Sequence, residues 1–129
     1  MTKKAKRPPV EGEARVVHME NMTPFLDCMD EPWQLQKDGH LDEMDFAEVL
    51  IVTIRRMPAK SLEDSERALE ILNVLKQADG AIEIRRDDFD WLQARLKEHA
   101  YKIWSPPDAV LITRYMESSL RNKRAEVPQ

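Results

Sequence analysis

Cysteine is almost missing from this chain. Cys28 stands alone, so no internal disulfide can form, and a reducing, cytoplasmic setting is expected. Glycine is scarce as well, at three residues. That argues against a turn-rich β-sandwich or barrel, and because the three are isolated no glycine-rich phosphate loop exists. No apolar run approaches the roughly 20 residues needed to cross a bilayer, so no membrane contact is expected. The basic N-terminal stretch leads into no apolar segment and reads as no secretory signal. Neither Cys-x-x-Cys nor His-Glu-x-x-His occurs, and Cys28, His18, His40 and His99 share no ligand spacing, so neither metal nor cofactor is expected. Positive charge is not in excess: 20 Lys and Arg face 24 Asp and Glu, a net −4, which makes the bulk of the chain a poor polyanion binder.

What is present suits one modest domain of 129 residues, 42% hydrophobic and 34% charged. Residues 1–15 read as a disordered basic arm, with Lys3, Lys4, Lys6 and Arg7 ahead of Pro8 and Pro9. Such an arm can touch nucleic acid or an acidic partner, although short basic termini more often only aid solubility. Residues 16–41 are irregular. Val16, Val17 and Met19 suit a short edge strand. Met22, Phe25, Leu26, Met29, Trp33 and Leu35 suit a wrapping segment that lays side chains into the core, or anchors a partner if the core has no room. A first helix is expected over 41–57, ended by Pro58. Its run Val49, Leu50, Ile51, Val52 and Ile54 is apolar all round and is also β-prone, so a strand is the rival there.

Ser61 opens a second helix, with Asp64 set to complete a capping box and Glu63–Arg67 as an i,i+4 pair. Gly80 is expected to end it in a left-handed turn. Ile82–Ile84 is the next β candidate. A third helix is expected over 88–104, capped by Asp87 or Asp88, with Phe89, Leu92, Leu96, Ala100 and Ile103 on one face. Ser105-Pro106-Pro107-Asp108 is a strong start for a fourth helix reaching about Asn122. Ala109, Ile112, Met116 and Leu120 form one stripe on it; Leu111 and Tyr115 form another.

Residues 34–46 resemble the calcium loop of the EF-hand family in Gly39 at the bend, Leu41 at the apolar position and Asp45 at the last ligand position. Gln34 and Gln36 stand where that family places acids, and Lys37 adds an opposing charge. Too few charged oxygens converge for Ca²⁺, so a plain Asp-Gly turn leading into a capped helix is expected. Asp79-Gly80-Ala81-Ile82 echoes Asp38-Gly39-His40-Leu41, a loose internal repeat that turn chemistry alone would produce. Asp87, Asp88 and Asp90 are better explained as helix-start acids than as an acid–base pair. A Cys28–His dyad has no local signature.

The expected fold is mainly α, about four helices with room for a short β-hairpin or strand pair. Its organisation is a basic arm (1–15), a single helical domain (16–120) and a flexible tail (121–129). No catalytic group stands out. The expected role is therefore a non-enzymatic protein-interaction or assembly module, self-associating or bound to a protein partner, with Trp33, Trp91, Trp104, Tyr115 and Met116 as candidate interface residues. The alternative is a nucleic-acid-binding regulator using Lys3, Lys4, Lys6 and Arg7 and the Arg-rich helix ends. The run over 72–117, an Asp-Gly-x-Ile turn, a Phe/Leu helix and then Trp-Ser-Pro-Pro-Asp, resembles small helical accessory and assembly proteins of tailed phages and prophages. That resemblance implies a part in virion assembly or host takeover, with a virion-associated location as the alternative to the cytoplasm, and carries no site residues.

Overall fold

Alternation decides the first element. Val17 and Met19 point inward while Val16, His18 and Glu20 stay wet, giving strand β1 (Val16–Glu20). A computed structural model, which describes residues 15–126, pairs β1 antiparallel with β4 (Ala81–Arg85), Val17 opposite Ile84 and Met19 opposite Ile82. The inward face of this pair is fully apolar. Between these strands in the chain lie the hairpin β2 (Gln34–Lys37)/β3 (His40–Glu43) and helices α1 (Phe46–Arg56) and α2 (Leu62–Lys76). After β4 come α3 (Arg86–Ile103) and α4 (Pro106–Glu126), which pack on each other, with α4 also against β1. The fold is thus mainly helical with two small antiparallel strand pairs.

The hairpin replaces the expected start of the first helix. Asp38 (φ 47°) and Gly39 (φ 85°) are both left-handed, the requirement of a two-residue primed turn whose twist matches its strands. Leu41 therefore lies in β3 opposite Gln36 and is exposed, rather than opening a helix. The helix begins at Phe46 because Asp45 caps it. Asp45 accepts from the Glu48 N–H at 2.9 Å while Glu48 accepts from the Asp45 N–H at 3.1 Å, a reciprocal box. With its start fixed, the β-prone 49–54 run is helical, and its inward residues, Val49, Leu50, Thr53 and Ile54, are buried.

Other helix ends differ from expectation in instructive ways. Ser61 caps α2 as anticipated, but the Asp64 carboxylate takes the Lys60 N–H instead of returning to Ser61. Helix α2 closes at Gln77, and Gly80 lies outside the left-handed region. Helix α3 is capped by Arg85, without a side-chain hydrogen bond, so Asp87 and Asp88 sit inside its first turn. At the start of α4 the Ser105 hydroxyl donates to the Asp108 carboxylate at 3.0 Å and accepts from its N–H. Backbone helicity continues past Asn122 to Glu126. The two Asp-Gly segments both fold as turn, strand and helix, yet β3 pairs locally and β4 pairs across to β1, so their echo is local chemistry.

The segment after β1 does wrap the core. Phe25 and Trp33 are buried, and their backbones bond to each other and to Met44. They join Phe46, Trp104 and Tyr115 in an aromatic cluster with ring centroids 4.5–5.9 Å apart. Leu26 and Met29 stay outside. Asn21 ties three elements together. Buried at the end of β1, it donates to Asp45 and to the Asp79 carbonyl and accepts from the Ala47 N–H at 2.8 Å. It thereby satisfies an early amide of α1 that has no partner within the helix.

Candidate functional site

Helix α2 is the least buried of the core-packed elements. Only Ile71 and Leu75, in its C-terminal half, are fully covered. In its N-terminal half Leu62 is 75% and Leu69 57% exposed. By spacing Leu62, Leu69, Leu72 and Leu75 lie near one helical face, yet the first two are left uncovered. A groove of about 380 Å³ opens there. Its walls come from the end of α1 and the following turn (Ile54, Arg55, Met57, Pro58, Ala59) and from α2 (Asp64, Ser65, Ala68, Leu69, Leu72). Trp91 and Arg95 of α3 complete it.

The α3 side of the groove is held by cations. The guanidinium groups of Arg67 and Arg95 each lie 5.9 Å from the Trp91 ring centroid. Arg67 also reaches the buried Asp88 carboxylate at 3.7 Å, and so turns away from its expected helical partner Glu63. Arg95, itself buried, donates to the Pro58 carbonyl and to Glu98 at 3.3 Å, which straps the 57–61 turn to α3. Lys60 adds a second tie, 3.9 Å from Glu98. His99 is buried one residue further on. Glu98 is 3.5 Å from its Nε2, yet neither ring nitrogen makes a hydrogen bond among the described residues. Burial, then the Arg95 charge, pushes the imidazole below the ordinary histidine range, which keeps it neutral.

The candidate interface residues separate. Met116 and Trp33 lie in the core, 0% and 6% exposed. Trp104 is half-buried, donating its indole N–H to Thr53 at 2.8 Å and meeting Trp33 edge to face. Tyr115 packs on Phe46 and donates to the Glu20 carbonyl at 2.7 Å; burial pushes its phenol up to about 12. Trp91 alone of the five lines the groove. The residues that accompany it, Leu62, Leu69, Met57 and Arg95, were missed as a site. Helical spacing marks Leu62 and Leu69 as apolar but does not say which apolar stripe lacks a neighbour.

The other constellations do not gather. Cys28 is exposed, and its backbone N–H donates to Asp108 at 2.9 Å. Hydrogen bonding to the Asp108 carboxylate, above all, pushes its thiol up, which suits a protonated thiol and a weak nucleophile. Among the described residues no group of three or more His, Cys, Asp or Glu could hold a metal ion, the 34–46 loop included, and no helix is long and apolar enough to cross a membrane. Arg85 and Arg86 are paired with Asp87 and Asp90, at 3.3 and 3.0 Å. Lys3, Lys4, Lys6 and Arg7 lie outside the described residues. Comparisons with protein-family models, with curated proteins and with solved structures find no match to this chain.

Proposed function

We propose that this chain is a non-enzymatic protein-interaction module, and that the groove with its flanking Leu62 and Leu69 is the binding surface. One observation carries the reading. Two leucines, 75% and 57% exposed on one helix, stand beside an open apolar groove that also presents tryptophan and arginine. Covering leucines this wet removes apolar surface from water, and Trp and Arg are the side chains enriched where protein partners bind. The groove walls are mostly Met, Pro, Ala, Leu and Ile, suited to receiving an apolar side chain from a protein segment. Assembly of a phage or prophage particle, which the resemblance of residues 72–117 implies, is one setting for such a module.

Selection of a peptide library on the full chain tests this. Enriched peptides should carry apolar anchors, and their affinity should fall at least about tenfold on Leu69→Glu and on Leu62→Glu, with the helical circular dichroism unchanged. No enrichment, or binding indifferent to both substitutions, would overturn the proposal.

A further inference from the structure

The charges that border the groove suggest which partner covers it. Around α2, at 100° per residue, the order runs from the groove wall (Ser65, Ala68, Leu72) to Leu69 and Leu62, then to Glu66 and Glu63. The apolar strip thus has a basic edge across the groove, at Arg55, and an acidic edge at Glu66 and Glu63. Arg55, Glu63 and Glu66 are exposed and form no ion pair among the described residues. The acids nearest the other groove-side cations are already engaged, Arg67 with Asp88 and Lys60 with Glu98. What remains is a surface with opposite, unmatched charges on its two sides.

Such a surface is complementary to itself. We infer that a second copy of this chain covers it, through a two-fold contact whose axis runs alongside α2; this rests on the groove being a protein-binding surface. Rotation about that axis keeps the two α2 helices parallel and exchanges their edges. Leu62 then meets Leu62, Leu69 meets Leu69, and Arg55 of each copy faces Glu66 and Glu63 of the other. The positions 62, 65, 69 and 72 alternate by three and four, the spacing of a parallel helical seam, and Ser65 is small enough to let the helices approach. An axis across α2 would set Arg55 against Arg55 and the acids against acids, which disfavours the antiparallel arrangement. Because the contact is isologous, both patches are used up and assembly closes at two copies instead of continuing into a fibre.

Sedimentation equilibrium of the full chain, from micromolar to millimolar, reads the result directly. The mass should rise from one copy to two and no further. Leu69→Glu and Leu62→Glu should each weaken association at least about tenfold, and so should Arg55→Glu, which sets acid against acid. Adding Glu66→Arg to Arg55→Glu should restore association to within about threefold of the original, because each copy then carries the reversed pair. A rescue of this kind cannot come from a general loss of folding. A single-copy mass throughout would overturn the inference, as would a dimer indifferent to Leu62→Glu and Leu69→Glu, or a double charge reversal no better than the single one. If the chain stays single while selected peptides still bind the groove, the protein-binding reading survives and the second copy does not. If peptides also fail, both fall.

Discussion

Helices α1 and α2 follow one another through the turn at 57–61, and both are rich in Leu, Ile and Val, yet the molecule uses them differently. On α1 the apolar residues are consumed: Phe46, Val49 and Leu50 are 0% exposed, and what reaches solvent at its end is Arg55 and Arg56. On α2 the outward-facing leucines are left over. Burial by neighbours, rather than amphipathic pattern, separates the two. Helix α1 lies beneath α3 and beside the aromatic cluster, whereas α2 has α1 and β4 against one side and nothing beyond its outer edge among the described residues. A helix apolar all round is either buried or at an interface, and α1 is buried. The unpaid surface lies one helix later, and core packing explains α1 in full.

The largest test of that contrast is Leu50→Ala. Leu50 has no exposure, so the lost contacts and the cavity should cost about 3 kcal/mol in urea-monitored unfolding. A cost below about 1 kcal/mol would mean that α1 is not the packed member of the pair.

A smaller effect should come from the strap that holds the turn between the two helices. His99, beneath Lys60 and next to Arg95, is held neutral in the fold, its pKa below the 6.5 of the free side chain. Above that value its burial costs nothing in protonation. As pH falls through it, the unfolded chain takes up a proton that the folded chain refuses, so stability drops until the folded pKa is reached. One proton limits the slope to about 1.4 kcal/mol per pH unit. Of the surrounding charges, Arg95, Lys102 and Lys60 oppose the proton and Glu98 favours it. Urea midpoints of the parent chain should therefore decline from about pH 6.5 downward more steeply than those of His99→Leu. Parallel pH profiles for the two proteins would remove the neutral buried imidazole from this picture.

Much of this architecture was legible in the residues themselves. Ser61, Ser105 with Pro106, and the alternation at 16–20 and 81–85 are local signals, decided within a few residues, and they place four elements, α2, α4, β1 and β4. The hairpin was missed: Asp38-Gly39 is read as a turn leading straight into a helix, because the acids that follow it suit a helix start as well as a strand. Only the reciprocal bond between Asp45 and Glu48 moves that start to Phe46. Asn21 was not legible at all: an asparagine in an irregular stretch gives no sign that it will bond to a carboxylate, an amide and a carbonyl 24 to 58 residues away. The groove was hidden for the same reason. Which part of the leucine face of α2 goes uncovered depends on what packs against the helix and on Arg95 reaching Pro58, and neither is a property of local spacing.

The smallest effect is the most discriminating. Leu69→Ala removes an apolar side chain from a helix, as Leu50→Ala does, and alanine is the better helix former. If α2 is an uncovered face, unfolding at low micromolar concentration should shift by no more than about 0.5 kcal/mol, since more than half of Leu69 is exposed in a single copy. The same substitution should act at high concentration, where a covered Leu69 would add stability that depends on how much protein is present. A cost of about 2 kcal/mol at low concentration would show that α2 packs far more closely than its exposed leucines imply, and the two helices would no longer differ in kind. A negligible cost at both concentrations would leave α2 uncovered, yet with no second copy to cover it.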